Sequence, residues 1–404
     1  MRRLGWALAL VTALLVGAVG GAAITLAVQG DPVPPPPPIV IGGPRLPDPV
    51  RTLEAPDTLL AWTPGRLPDG FASRAATVEG VRHVAVVRSG TAWLTGSTSA
   101  TGAEADRPPD GLAIPLELAA ADPAAYRPFL PPADRPLLGA LGRGEVVLGE
   151  SGARLRGLGE GATLRFGSVS ARVAGVLPDE FVGAHEVFAS AALAARLGID
   201  RARYALLDPA EGASRSMVAV GLRLAIPPGT PLRVRAPGET PLFRHGDAVI
   251  PPVALKAAFG EFAARPRADG WLTVDPAWVR DHVATAEVPI LGQVRCGRAL
   301  FPQLRAALGE LDRAGLGHLI DPGDFGGCFA PRFLSRDPGA GLSHHAWGAA
   351  IDVNVSANPF GRVSSMDPRI VAAFERWGFT WGGRWLVPDG MHFDFIRAVA
   401  APSA

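Results

Sequence analysis

Residues 343–354 read SHHAWGAAIDVN, and this stretch decides the fold of the C-terminal part of the chain. Its last residues alternate between apolar and polar, which predicts a short strand over 350–355 with Asp352 on the polar face. The later stretch MHFDF, residues 391–395, alternates in the same way and places His392 on its polar face. Two such strands side by side, each burying its apolar face, would present Asp352 and His392 together.

A histidine lies on the loop that leads into the first strand. His345 stands seven residues before Asp352, and Gly348 would let the loop fold back. Two histidines and one carboxylate, here His345, His392 and Asp352, form a good catalytic zinc set with the fourth position left for water. A histidine beside a strand is more often a core or surface group, and the spacing alone leaves that alternative open.

Helical patterns flank the two strands. Leucines recur at helical spacing from Leu300 to Leu311, and glycines follow them. Asp367 and Pro368 form a good N-cap and first-turn pair ahead of a second apolar helix face. This mixture of helices and short strands predicts an α+β domain over residues 287–404.

The region over residues 48–286 has a different pattern of short strands, turns and a few helices. Residues 163–166 and 169–173 predict two half-buried strands joined by the turn Gly167-Ser168. Residues 191–197 predict a short helix that glycine ends. The pattern indicates a mixed α/β domain.

Two segments of this region carry a weak resemblance to a known family. GEVVLG at residues 144–149 and RVAGVLP at residues 172–178 are similar to the extracytoplasmic core domain of MacB-like and FtsX-like permeases. The chain has no Walker A sequence, so no ATPase is implied. The resemblance implies an extracytoplasmic module that contacts other envelope proteins.

The N-terminus predicts membrane attachment. Arg2 and Arg3 precede an apolar run from Trp6 to Val28, which is long enough to cross a bilayer as a helix. We expect residues 1–29 to be an uncleaved transmembrane signal anchor of a single-pass cell-membrane protein, with the folded domains extracytoplasmic. A cleaved signal peptide is the alternative. The proline-rich residues 30–47 then act as an extended linker.

Charge and cysteine content narrow the functional classes. The formal net charge of +1 gives no reason to expect a nucleic-acid partner. The two cysteines, Cys296 and Cys328, would meet an oxidising environment outside the cytoplasm, and their even number favours one disulfide. Zinc ligation by the pair is the competing interpretation, although the spacing matches no zinc-knuckle pattern.

The two C-terminal motifs together resemble a peptidase family. S-x-H-x-x-G-x-A-x-D at residues 343–352 and D-x-x-H at residues 389–392 are similar to the signature of the M15 zinc peptidases, which include VanY-like D-alanyl-D-alanine carboxypeptidases and L-alanyl-D-glutamate endopeptidases. The resemblance covers roughly the final quarter of the chain. It implies a hedgehog/DD-peptidase-type zinc domain that acts on peptidoglycan stem peptides.

The resemblance also assigns roles to individual residues. His345, Asp352 and His392 match the Zn²⁺ ligands, and Asp389 matches the carboxylate that takes a proton from water. Arg332, in the upstream segment 326–332 that also fits the family, matches an arginine that faces the substrate; a guanidinium suits a carboxylate or an oxyanion. Ser343 matches the serine of the first motif, which implies contact with the substrate or orientation of the loop. Asp389 also lies in Pro-Asp-Gly, a common turn sequence, and this alternative stays open.

The function expected from these residues is D-alanyl-D-alanine carboxypeptidase activity. The alternatives are an L-alanyl-D-glutamate-type endopeptidase and a non-catalytic zinc-fold protein that binds peptidoglycan as a scaffold. A serine-type peptidase is excluded, because Val253 stands where Ser-x-x-Lys needs its serine before Lys256. A thermolysin-like site is excluded because Ala189 replaces its second histidine, and we expect His185 to be structural.

Overall fold

The computed structural model describes residues 58–239, 243–245 and 249–399. The predicted membrane anchor over residues 1–29 and the proline-rich linker over residues 30–47 lie outside the described residues. By contacts the chain divides into two units, and every described residue belongs to the second of them. Across the described part of the chain, no helix combines the length and the apolar character needed to span a membrane.

An eleven-stranded sheet organises the first part of the described chain. Its strands lie in the spatial order β11-β1-β10-β2-β5-β9-β6-β8-β7-β3-β4. Most neighbours are antiparallel, whereas β5 with β9 and β6 with β8 are parallel. The strands are β1 Leu59–Trp62, β2 Val81–Leu94, β3 Gly96–Thr98, β4 Glu104–Asp106, β5 Ile114–Ala121, β6 Val146–Gly149, β7 Thr163–Phe166, β8 Val169–Leu177, β9 Val187–Ser190, β10 Ala202–Pro209 and β11 Arg233–Arg235.

Short helices pack on both faces of this sheet, so the mixed α/β character predicted for the region is confirmed. The predicted hairpin of β7 and β8 is present, with Phe166 opposite Val169. The helix predicted over 191–197 is also present, and the Ser190 hydroxyl caps it by accepting the amide of Leu193. The helices are α1 Phe71–Ala75, α2 Pro123–Tyr126, α3 Pro136–Gly142, α4 Glu150–Arg156, α5 Asp179–Val182, α6 Ala191–Arg196 and α7 Arg215–Ala225.

The second part of the described chain is built from four helices and small sheets. The helix predicted after Asp367 is present, and the Asp367 carboxylate accepts the amide of Arg369 at its start. Ile370 and Phe374 on its inner face are buried. The elements are α8 Pro252–Phe259, α9 Pro276–His282, α10 Phe301–Arg313, α11 Pro368–Arg376, β12 Ala264–Pro266, β13 Leu272–Val274, β14 Val283–Val288, β15 Gly292–Gly297, β16 Ala350–Asp352, β17 Phe379–Trp381 and β18 His392–Phe395.

The strand pair predicted from the alternating motifs is present in a three-stranded sheet, with β18 in the centre and β16 at one edge. The order is β16-β18-β17, and Asp352 lies directly opposite His392. The first strand is shorter than predicted, because it was expected to reach Val355 and ends at Asp352. Asn354 explains the difference: it adopts a left-handed backbone with φ 51°, and its side chain donates to the carbonyl of Leu319.

A buried ionic contact joins the two parts. Lys256 on α8, 2% exposed, donates to the Glu186 carboxylate at 2.8 Å. Arg156 on α4 lies 3.0 Å from the same carboxylate. The hydrophobic core around the three-stranded sheet starts at Ile250. The domain boundary between residues 286 and 287 stays a prediction.

Candidate active site

His345 is positioned by a short helical turn, His344–Trp347. The Ser343 hydroxyl caps the turn by accepting the His345 amide at 3.4 Å. Gly348 ends the turn with φ 63°, where a Cβ atom would clash with the backbone nitrogen of Gly297. The turn and Gly348 therefore hold His345 next to the first strand. The sequence predicts such a loop, which folds back at Gly348.

The ring of His345 is oriented by a backbone carbonyl. Its Nδ1 lies 2.8 Å from the carbonyl oxygen of Cys328. Because a carbonyl only accepts, Nδ1 carries the proton and Nε2 keeps a lone pair. That nitrogen points toward Asp352 and His392.

His392 is oriented in the opposite sense. Its Nδ1 faces the site, and its Nε2 lies 3.1 Å from Oδ1 of Asp394, two residues along the same strand face. Asp394 is buried and lies equally close, at 3.1 Å, to Nδ1 of His344. A carboxylate behind a ligating histidine fixes the ring orientation and increases its basicity.

The three predicted ligands converge on one point. Nε2 of His345 lies 3.2 Å from Nδ1 of His392 and 3.2 Å from Oδ2 of Asp352. Nδ1 of His392 lies 2.9 Å from Oδ1 of Asp352. Bonds of about 2.0–2.1 Å to a tetrahedral zinc ion place neighbouring ligand atoms about 3.3 Å apart. The three groups therefore fit a metal ion, and this set can hold one. Their individual roles stay predictions.

Charge interactions and hydrogen bonds shift the pKa values of Asp352 and His392. Burial raises the pKa of Asp352, but hydrogen bonds and charges from both histidines outweigh it and hold the pKa below its ordinary range. Burial lowers the pKa of His392, but Asp394 and Asp352 reverse this and raise the pKa well above its ordinary value. A metal ion that binds His392 therefore has to displace a proton.

Asp389 combines a turn with a carboxylate that lines the cavity. Its amide donates to the carbonyl of Gly382 at 3.0 Å, and its own carbonyl accepts the amide of His392. Its Oδ1 is buried and has no hydrogen-bond partner among the described residues. Burial raises the pKa of Asp389 above its ordinary value, His392 partly offsets this, and Asp352 adds to the rise. Such a carboxylate is suited to accept a proton.

One cavity of about 480 Å³ contains these groups. The metal set, Asp389, Ser343 and Arg332 all line it. Ser343 is 2% exposed and acts on the backbone turn, whereas the Arg332 side chain is half-buried on the wall. The predicted substrate roles of both residues stay predictions.

The cavity also reaches residues that sequence reasoning did not select. Glu117, Arg203, Arg235 and His245 from the first part of the chain line the same space. They lie at least one hundred residues before His345 and follow no motif. No local sequence pattern could have grouped them with the zinc set.

The two cysteines form the predicted disulfide. Cys296 at the end of β15 is bonded to Cys328, and their Cα atoms lie 5.2 Å apart. Competition by this pair for zinc is thereby excluded. The bond holds the segment whose Cys328 carbonyl orients His345.

Comparisons with solved structures return extracytoplasmic domains of transporters. The periplasmic region of MacB from Actinobacillus actinomycetemcomitans is 12% identical, with TM-score 0.31, covering 45% of this chain and 89% of that one. The extracellular domain of the noncanonic ABC-type transporter YknZ from Gram-positive bacteria is 13% identical, with TM-score 0.27, covering 42% and 90%. The resemblance predicted for the middle region is confirmed as a likeness to such domains.

A comparison with curated proteins finds no match. A comparison with protein-family models finds one over residues 336–395, in the D-alanyl-D-alanine carboxypeptidase family of the M15 type. The matched segment contains His345, Asp352, Asp389 and His392, the residues that converge in the cavity. The C-terminal segment of this chain is thus similar to the M15 D-alanyl-D-alanine carboxypeptidases.

Proposed function

We propose that this protein is a zinc-dependent D-alanyl-D-alanine carboxypeptidase that removes the terminal residue of peptidoglycan stem peptides. One observation carries the proposal. The side chains of His345, Asp352 and His392 approach one another within 3.2 Å, and they share a cavity with the buried Oδ1 of Asp389, which has no hydrogen-bond partner among the described residues. A protein that only gripped peptidoglycan would have no need for a proton acceptor at that position.

The residues fit zinc in number and in type. Imidazole nitrogen and carboxylate oxygen are the donors that catalytic zinc sites use, with three protein ligands and one open position. Zinc bound there would supply a water of pKa about 7 and polarise the scissile carbonyl. His345 and His392 would bind it through Nε2 and Nδ1, the two nitrogens that face the site.

The other residues of the cavity complete the proposed chemistry. Asp389 accepts the proton of the attacking water and passes it to the amine of the leaving D-alanine. The raised pKa of Asp389 favours the first step, because a more basic carboxylate takes the proton of the attacking water more readily. Arg332 offers a planar set of donors to the terminal carboxylate or to the oxyanion that develops on the carbonyl.

We further propose that this activity lies outside the cytoplasm. The disulfide between Cys296 and Cys328 supports an oxidising compartment. Attachment to the cell membrane through residues 1–29 and contacts of the middle domain with other envelope proteins belong to the same proposal. Both arrangements would bring the cavity to peptidoglycan.

The test uses the purified full-length protein loaded with zinc. A muramyl pentapeptide ending in D-Ala-D-Ala is incubated with it, and the products are followed by mass spectrometry. We expect loss of one alanine, reduced about 10²–10⁴-fold in Asp389→Asn, because general-base catalysis contributes that range. Asp281→Asn, an exposed carboxylate beside Arg280, is the matched control and retains activity.

Two other results would change the proposal. Cleavage within the stem peptide would identify the endopeptidase alternative. Absence of any product from a folded, zinc-loaded protein would favour the non-catalytic peptidoglycan-binding alternative. Each outcome is read from the same mass spectrum.

A further inference from the structure

A second group of metal-ligand side chains lies outside the zinc set. Glu117 on β5, His185 just before β9 and His245 in the turn Phe243–His245 offer ligand atoms that all lie within 4.8 Å of one another. Nε2 of His245 is 2.9 Å from one carboxylate oxygen of Glu117 and 3.1 Å from the other. Nε2 of His185 is 4.0 Å from Oε1 of Glu117.

The orientation of His185 suits a ligand. Its Nδ1 lies 2.8 Å from the carbonyl oxygen of Val182. Because that carbonyl only accepts, Nδ1 carries the proton and Nε2 presents its lone pair toward Glu117. This is the same arrangement that Cys328 gives to His345 in the first set.

Burial shields the two imidazole rings of this group from bulk water. The side chains of His185 and His245 are 1% and 3% exposed, and their rings stack with centroids 5.0 Å apart. Glu117 is 20% exposed, and both Glu117 and His245 line the cavity. Two buried imidazoles and one carboxylate that reaches the cavity form a site open on one side.

Hydrogen bonds fix the backbone at Glu117 and next to His185. The amide of Glu117 donates to the Glu186 carboxylate at 3.1 Å, and the amide of Glu186 donates to the Glu117 carbonyl at 3.0 Å. Glu186 is in turn bound by the buried Lys256 and Arg156. Glu117 and His185 are therefore held at a constant separation, as a preorganised site requires.

We propose that Glu117, His185 and His245 bind a second divalent cation of the zinc class in the same cavity. Two imidazoles and a carboxylate suit zinc and cobalt better than calcium or magnesium, which prefer oxygen ligands. The ligand atoms are spread more widely than in the first set, so the side chains close in by roughly 1 Å on binding. The second ion would give the cavity a fixed positive charge for an anionic part of a substrate.

Metal content of the full-length protein tests the proposal. The protein is first freed of metal with a chelator and reloaded with Zn²⁺. Excess metal is removed by gel filtration, and the bound metal is measured by elemental mass spectrometry. We expect two equivalents per chain, one equivalent in His185→Ala with His245→Ala, and one in His345→Ala with His392→Ala. Cobalt reloading gives a second readout, because visible absorption from two sites falls by about half in each double variant.

Two further variants separate loss of ligands from loss of the fold. Glu117→Gln keeps the shape of the side chain. We expect it to weaken the binding of the second zinc ion, while the circular dichroism spectrum stays unchanged. His83→Ala removes an exposed histidine that pairs with Asp208, and it retains both equivalents.

A single equivalent that disappears with His345 and His392 and survives in the His185 and His245 variant would overturn the proposal. In that case the group is a buried histidine–carboxylate contact only. The measurement is independent of peptidase activity, so failure of the proposed reaction leaves its outcome readable.

Discussion

Nδ1 of His345 lies 2.8 Å from the carbonyl oxygen of Cys328, a residue whose side chain is locked to Cys296 by a disulfide. The ligand face of His345 therefore depends on a backbone position that a covalent bond restrains. Nothing in the ligand motif itself reveals this dependence, because Cys328 stands seventeen residues before His345.

Removal of the disulfide should lower both stability and metal affinity. The bond closes a loop with sequence separation 32, for which unfolded-chain entropy predicts a loss of about 3–4 kcal/mol in Cys296→Ser with Cys328→Ser. Zinc affinity should fall about tenfold or more, because the carbonyl that orients His345 is less restrained. Urea unfolding and a competitive zinc titration measure the two effects. Unchanged zinc affinity in the double variant would show that the carbonyl is held by the fold alone.

Zinc binding should depend on pH through His392. The raised pKa of His392 means that the proton competes with the metal as the pH falls, so affinity decreases on acidification with a midpoint above the ordinary 6.5. Asp394→Asn removes the carboxylate behind the ring and should move the midpoint to lower pH. It should also weaken binding about 10–100-fold at high pH, because ring orientation is lost. Competition titrations from pH 6 to 9 compare the two proteins, and an unshifted midpoint would contradict the role of Asp394.

The N-cap of α11 should contribute to the stability of the protein without affecting zinc binding. The Asp367 carboxylate accepts the amide of Arg369, so Asp367→Ala should destabilise the protein by about 1 kcal/mol. Asp367→Ser restores a cap and should recover most of the loss. Urea unfolding gives the free energies, and zinc stoichiometry is expected to be the same in all three proteins. If Asp367→Ala left the free energy of unfolding unchanged, Pro368 and the buried face of α11 would be sufficient to stabilise the start of the helix.

In the metal-free protein, the free energy of unfolding at acidic pH should depend in part on the charge of Glu117. Burial raises the pKa of Glu117, but His245, His185 and Arg203 outweigh it and lower the pKa to about 2 from 4.5. A carboxylate with a lowered folded pKa stabilises the protein above pH 4.5, and this contribution is lost as the pH falls toward 2. Glu117→Gln should therefore flatten the unfolding free energy over this window by at most about 3 kcal/mol.

The comparison is made by denaturant unfolding at several pH values in the presence of a chelator. Glu160→Gln changes an exposed glutamate and should leave the profile of the wild type intact. A Glu117→Gln profile parallel to that of the wild type would mean that its charge contributes nothing to the fold.

The sequence was sufficient for the strand pair and its polar face. Alternation alone predicts Asp352 and His392 as neighbours, because side chains on a strand repeat every second residue. The same rule placed the end of the first strand too late, since the left-handed backbone of Asn354 is stabilised by a distant partner, the Leu319 carbonyl. Helices such as α6 and α11 are predictable from local sequence, because each capping side chain binds a backbone amide no more than three residues away.

The wall of the cavity formed by the first part of the chain could not be predicted. Glu117 and His245 line it and His185 lies close to both, but the three come from separate elements that only the tertiary fold brings together. His185 was expected to be structural because its neighbourhood lacks a second histidine in the right register. The partner histidine stands sixty residues later, where no spacing rule applies.

The buried contact between Lys256 and Glu186 bears on how this protein could be divided or recombined. Lys256 is the only lysine in the sequence, and from α8 in the second part of the chain it reaches Glu186 in the first part. Each of the two also has an ionic partner in its own part of the chain, because Lys256 lies 2.9 Å from Glu261 and Glu186 lies 3.0 Å from Arg156. Separating the two parts would break the buried pair between Lys256 and Glu186 and the contact of Arg156 with Glu261. The C-terminal segment is therefore not a freely exchangeable module, and moving it to another protein would require α8 and the acidic residues that contact it.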